Sequence, residues 1–283
     1  MKQFIIFAVL CISMSLFAQE DTIYLIVRAD DIGSSHTANV ACIESFQNGI
    51  ARTVEVMAPC SWFLEAARML RENHGYDVGV HVTLTAEWDE YKWGPLTHAP
   101  SIVDSNGYFH PKQKDWAEDG SPTFWNDRVD MVEVEAEVRA QIELAINHIP
   151  QVSHFSGHMG IFGVSDEMRA LSERLAKEYN LEINLDAYGV KWARWGINND
   201  AGFEERESAL IQMLESLESG LYLLVEHPGL DTPEMHATGH TGYENVAAHR
   251  DAVTKAFTSK KVQKVIESKG IQLISYADAK RIF

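Results

Sequence analysis

The chain has 283 residues, 46% hydrophobic and 10% aromatic, which supports one large domain or two small ones with a sizeable core. Its formal net charge of −17 excludes nucleic acid as the expected partner, because phosphates demand a basic footprint and the acidic groups here are spread along the chain. No repeat, linker or low-complexity tract is present, and the lack of a Gly-x-Ser-x-Gly turn argues against a serine-nucleophile hydrolase.

Residues 1–19, MKQFIIFAVLCISMSLFAQ, stand apart from the rest. Lys2, an apolar stretch from Phe4 to Phe17 and the small Ala18 before polar Gln19-Glu20-Asp21 form the pattern of an export signal. It is too short and too weakly flanked for a resident membrane span. Leu16 is not the small residue preferred two positions before Ala18, which leaves the cut site open. Ala8-Val9-Leu10 before Cys11 fits a lipoprotein anchor poorly. The expectation is a signal over 1–19 and one domain over 20–283, exported to a periplasm and not integral to a membrane. Cys42 and Cys60 then remain, either paired in an oxidising compartment or buried as free thiols.

Tyr24-Leu25-Ile26-Val27 reads as a buried parallel strand, apolar on both faces. Asp30, Asp31 and Gly33 follow at its C-terminal end, where parallel α/β folds keep their chemistry. Adjacent residues of an extended segment point to opposite faces, so the two carboxylates are expected to have different jobs. The plain alternative is that Asp31 caps the next helix and Asp30 is solvated.

Ser35 to Asn48 has helical spacing at Val40, Ile43 and Phe46 and stops at Gly49. Arg52 to Ala58 alternates as a strand, and Ser61 is expected to cap a helix through Asn73. In Asp77 to Thr85, Val78, Val80, Val82 and Leu84 share one face and His81 the other. Ala86 to Asn126 breaks the rhythm with Trp88, Tyr91, Trp93, Trp116, Phe124 and Trp125, a connection long enough to suggest a functional insert or lid.

The spacing then predicts a helix over Asp127 to His148, a strand over Gln151 to Phe155, a helix over Ser165 to Tyr179 and a strand over Leu181 to Leu185. A helix over Glu204 to Glu218, a strand over Leu221 to Val225 and a polar loop through Thr241 follow. Helices over Tyr243 to Lys269, interrupted near Ser259, precede a last strand at Ile271 to Ser275 and a terminal helix. Strands alternating with helices imply one α/β domain with a parallel sheet, and seven strands suggest a barrel, though spacing alone leaves an open sheet possible.

Four histidines, His81, His154, His158 and His227, sit at or just beyond strand ends and in a parallel sheet would converge with Asp30 and Asp31. Each alone reads more readily as structural; together they suggest a site. Two imidazoles and one carboxylate leave open positions on a divalent ion, as a hydrolase needs, while a second carboxylate can take a proton from water.

The blocks RADDIG (Arg28 to Gly33), NGIARTVEVM (Asn48 to Met57), VGVHVTLT (Val78 to Thr85), SHFSGHMG (Ser153 to Gly160) and VEHPG (Val225 to Gly229) make the chain similar to the YdjC-like carbohydrate deacetylases. The resemblance runs from about Tyr24 to the C-terminus. It implies a seven-stranded (β/α) barrel of deacetylase type, one divalent metal (Mg or Zn), and removal of acetyl groups from N-acetylated sugars; the aromatic-rich stretch Ala86 to Asn126 would then be a long insert after the third strand.

Carried over by position, the resemblance implies Asp31, His81 and His158 as metal ligands and Asp30 as general base, with His227 a candidate acid or pocket residue. The family pattern near HxDxHxHxH is altered here: Ser156 stands in place of its Asp, and Gly160 and Phe162 in place of later histidines. That puts metal preference and substrate in question more than reaction class.

His154 reads either as a residue behind the ligands or on the pocket wall, or as plain structure. Arg28 either pairs with one of the two carboxylates or is a surface residue. Glu226 either orients His227 or is solvated, and His236 and His240 read as loop histidines, since their spacing marks a ligand pair only on a helix. Trp88, Trp93, Trp116 and Trp125 either offer a sugar-stacking surface or pack the insert onto the barrel. Two rival functions stay open: a metal hydrolase acting on another ester or amide, and an exported glycan-binding protein that has lost catalysis.

Overall fold

The apolar run before Asp30 becomes β1 (Ile23–Ile32), the strand to which β2 (Thr53–Val56), β6 (Gly220–Glu226) and β7 (Gln272–Ile274) all pair in parallel. A computed structural model describes residues 22–114 and 123–283; the expected signal over 1–19 and Trp116 lie outside the described residues. Beyond β2 come β3 (Asp77–Val82) and β4 (Val152–Gly157), and beyond β6 the two-residue β5 (Lys191–Trp192).

Helices α1 (His36–Gln47), α2 (Phe63–Glu72), α3 (Met131–His148), α4 (Asp166–Glu178) and α5 (Phe203–Ser216) precede β6. A short α6 (Pro233–His236), α7 (Val246–Thr258), α8 (Lys260–Lys269) and α9 (Tyr276–Ile282) complete the chain. Among the described residues, no helix is long and apolar enough to cross a membrane.

The sheet is curled, since Gly157 at the end of β4 and Val225 on β6 line one cavity from opposite sides of the strand order. Among the described residues β4 and β5 share no ladder, so the curl is an open half-barrel and hydrogen-bonded closure of the expected barrel is not seen. The strand expected over Leu181 to Leu185 is replaced by a turn, in which Asn184 Oδ1 accepts from the Ala187 N–H at 3.1 Å, and the strand follows at β5. Ser61 does not cap α2, whose N-cap position is Trp62 without a side-chain bond.

Alternation sorts the residues into two layers. Leu25, Val27, Val54, Val56, Val78 and Val80 belong to the large core that also contains helix residues such as Ala38, Leu70 and Phe257. Ile26, Leu221, Leu223 and Ile274 form a smaller cluster with Tyr276. Towards the strands' C-terminal ends the same alternation brings in buried polar groups instead: Asp30, Glu55, His81 and His154. Cys42 and Cys60 are buried and free.

Where β1 meets β2 the register slips. Ala29 opposes Val54 and Ile32 opposes Val56, so Asp30 and Asp31 together face the single residue Glu55. This is a β-bulge, and Asp31 takes a left-handed φ of 75° within it. Gly33 follows at φ 99°, where a Cβ would lie 2.9 Å from the Met57 carbonyl oxygen. Ser35, not Asp31, caps α1 by accepting from the Ala38 N–H at 3.0 Å.

Candidate active site

The bulge overturns the expectation that Asp30 and Asp31 face apart. Both reach the same imidazole: His81 Nε2 lies 3.7 Å from Asp30 Oδ2 and 3.6 Å from Asp31 Oδ1. A regular strand would have separated them; the positive φ at Asp31 turns its side chain back to the rim. They line a cavity of about 580 Å³ at the C-terminal ends of the strands, together with Arg28, His158, His227 and Arg250.

His158 opens a 3₁₀ turn immediately after β4, and its Nδ1 is 3.5 Å from Asp31 Oδ1. Asp31, His81 and His158 each offer one ligand atom, all within 4.8 Å of one another and all from buried residues. Among the described residues, Asp31 Oδ1 has no hydrogen-bond partner although it is buried. A buried carboxylate oxygen flanked by two imidazole nitrogens fits a divalent cation.

The electrostatics ready Asp31 and His81 as donors, while His158 carries a proton that a cation would have to displace. Burial alone would raise the Asp31 carboxyl, but Arg250, whose Nη2 is 2.8 Å from Oδ2, and the nearby histidines hold it well below the usual carboxylate range. Burial, helped by His158, lowers His81 to about 3, so its imidazole is neutral. Burial would also lower His158, but the carboxylates of Glu87 and Asp31 outweigh it and raise the group to about 10. Glu87 Oε2 sits 3.0 Å from His158 Nε2, on the far side of the ring from Asp31.

Asp30 is gripped by Arg28, Nε to Oδ1 and Nη2 to Oδ2 both at 2.8 Å. Burial pushes the Asp30 carboxyl up against the pull of Arg28 and His227. Arg28 thus pairs with Asp30 and is no surface residue. His227, in the loop after β6, lines the cavity, and burial lowers its pKa. Glu226 also lines the cavity and accepts from the Trp195 indole, so the solvated reading of it does not hold.

His154 is not on the cavity wall. It lies within the curl, Nε2 2.8 Å from Glu55 Oε1, with its ring stacked 3.9 Å from that of Tyr276. Trp88 lines the cavity beneath Arg250, 5.3 Å from guanidinium to ring, and stacks on His240 at 5.8 Å. Trp93 is buried behind His158 and donates its indole N–H to the Thr85 carbonyl at 2.8 Å; it packs the insert and does not line the cavity. His240 is a cavity residue, while His236 is exposed and paired with Asp231.

Sequence reasoning missed Arg250, Glu87 and Glu55. Arg250 and Glu87 carry no local signal, one within an ordinary helical stripe and one in an aperiodic insert. Glu55 did carry one: a charge between Val54 and Val56, in the middle of a strand that is buried throughout.

Comparison with known proteins identifies relatives of the chain and of its fold. A protein from Thermoanaerobacter pseudethanolicus named carbohydrate deacetylase is 27% identical over 268 residues, which is 90% of this chain and 98% of that one. Carbohydrate deacetylase 1 of Listeria innocua is 31% identical over 159 residues, but the match spans only 56% of this chain and 59% of that protein. A crystal structure from Enterococcus faecalis V583, of a candidate cellobiose-phosphate cleavage protein, shares the fold: its TM-score is 0.70 at 21% identity, covering 91% of this chain and 98% of that one. Residues 24–268 match the family described as YdjC-like protein, and the chain belongs to that family.

Proposed function

We propose that the protein is a metal-dependent hydrolase that removes acetyl groups from N-acetylated sugars or oligosaccharides. The observation that carries this reading is the convergence of Asp31, His81 and His158 around Asp31 Oδ1, a buried oxygen with no hydrogen-bond partner among the described residues. The relatives named carbohydrate deacetylase support the choice of substrate class.

Asp31 Oδ1, His81 Nε2 and His158 Nδ1 would hold the ion, and two imidazoles suit zinc better than magnesium, which prefers an all-oxygen set. When bound, a divalent ion supplies Lewis acidity and makes water a stronger acid. Asp30, kept at the rim by the Arg28 fork, takes the proton from the attacking water. His227 must gain a proton before it can give one to the departing amine; burial works against this, and the fields of Asp31 and Asp30 offset it only in part. The products are acetate and a free amino sugar. Arg28 and Trp88 supply cavity wall for the sugar. The 1–19 segment would direct the chain to a periplasm.

Acetate release from N-acetylglucosamine oligomers, measured with and without chelator, tests the reading. The expected result is release that chelator abolishes and zinc restores. Release indifferent to chelator removes the metal role. Glycan binding without any release identifies a binding protein on the same fold.

A further inference from the structure

Glu55 is completely buried near the middle of the curled sheet, a position that costs stability unless its carboxylate is fully used. The fold makes room for it: a Cβ on Gly79 of the neighbouring strand would lie 2.4 Å from Glu55 Oε1. Oε1 accepts from His154 Nε2 at 2.8 Å and lies 4.0 Å from Arg28 Nη1. Ser153 Oγ, 2.7 Å from His154 Nδ1, serves the other side of that ring. Oε2 accepts from the Ser156 hydroxyl at 2.6 Å, and Ser156 Oγ is in turn 2.8 Å from His81 Nδ1.

The donors and acceptors along this chain have one consistent arrangement. An ionised carboxylate only accepts, so the single hydroxyl hydrogen of Ser156 goes to Glu55. Ser156 Oγ then has only lone pairs left for His81, which must carry its hydrogen on Nδ1. That leaves His81 Nε2 bare, facing Asp31 Oδ1 and Asp30 Oδ2 at 3.6 and 3.7 Å. An imidazole that ligates through one nitrogen needs the other N–H held by an acceptor, and a carboxylate is the strongest acceptor for the purpose.

We propose that Glu55, acting through Ser156, is the positioning residue that fixes His81 as an Nε2 ligand. The serine hydroxyl on β4 links His81 on β3 to a carboxylate on β2, the strand at the other side of β3, so position 156 needs no acid of its own. The inference rests on the reading of Asp31, His81 and His158 as a cation site.

Long-range ¹H–¹⁵N spectra of the metal-free full-length protein report the His81 tautomer without any substitution. The expected result is a hydrogen on Nδ1. Zinc titration by calorimetry supplies the second readout: Ser156→Ala and Glu55→Gln should each weaken binding by about 10–100-fold. Because both act through one chain of bonds, the double variant should bind no more weakly than the worse single variant. A His81 hydrogen on Nε2, undiminished zinc affinity in Ser156→Ala, or losses that simply add overturns the inference alone. Wild-type protein that binds no divalent ion overturns the proposed function and the inference with it.

Discussion

Arg28 and Asp30, two residues apart on β1, share the inner face of the sheet and form a two-pronged ion pair with both N–O distances at 2.8 Å. The guanidinium also reaches the Tyr276 hydroxyl at 3.1 Å, which fixes the fork from below. Lysine offers a point charge and cannot hold both carboxylate oxygens in a plane. Arg28→Lys should therefore keep the fold yet lower turnover by about 10²-fold, the scale expected when a reacting group is slightly misplaced. Asp30→Asn should lower it by about 10²–10⁴-fold while zinc still binds. Acetate release paired with zinc calorimetry checks both, and an Asp30→Asn protein with full turnover excludes Asp30 as the base.

Arg250 supplies the counter-charge for Asp31 from α7, with Nη2 2.8 Å from Oδ2 and both side chains buried. Arg250→Met removes the shortest cation contact of that buried carboxylate and leaves it only His158, at 3.5 Å. The metal-free variant should lose about 3–5 kcal/mol of stability, the usual cost of removing one partner of a buried pair. Saturating zinc should return part of the loss, because it binds only the folded form. Urea unfolding with and without zinc measures both. A variant as stable as wild type would show that the pair carries no net stabilisation.

The proton held by His158 sets a pH dependence. In the metal-free fold Glu87 and Asp31 raise this group to about 10 against the effect of burial, above its unfolded value near 6.5. Its stabilising contribution is therefore complete below about pH 6.5 and is lost as pH rises through 10. A cation must displace this proton, so zinc affinity should rise about tenfold per pH unit between pH 7 and 9. Calorimetry in buffers of different ionisation enthalpy counts the proton released, and a pH-independent affinity would remove the linkage.

Gly33 keeps the bulge in place. Its φ of 99° and the 2.9 Å approach that a Cβ would make to the Met57 carbonyl leave no room for a side chain. Gly33→Ala should cost about 1–3 kcal/mol, as is usual for a non-glycine residue forced into such a conformation. It should also weaken zinc binding, because the same turn aims Asp31 at His81. Thermal unfolding and calorimetry on one preparation test the two effects together.

Much of the architecture could be read from periodicity. Val78, Val80, Val82 and Leu84 all enter the core while His81 stays on the other face, as their alternation requires. The break near Ser259 is real, and Ser259 closes α7 and caps α8 by accepting from the Lys261 and Val262 N–H groups. Period-two reasoning failed at Asp31, because a bulge is decided by a neighbouring strand's backbone and leaves no periodic trace. It failed again at Leu181 to Leu185, where an Asn184 turn competes successfully with a strand-like composition. Within the site, residues on strand ends were legible and those arriving from the insert and from α7 were not, since Glu87 and Arg250 act through tertiary placement alone.

The bond between Arg250 and Asp31 joins positions 219 residues apart, and this has a bearing on how the protein is made. Arg28 can answer Asp30 within β1 itself, but until α7 docks Asp31 lacks its Arg250 counter-ion and is better left in water. A fragment stopped short of α7 could pair its first strands, yet it could not settle the Asp31 carboxylate in a dry pocket. Completion of the centre is thus tied to the docking of α7, late in the chain.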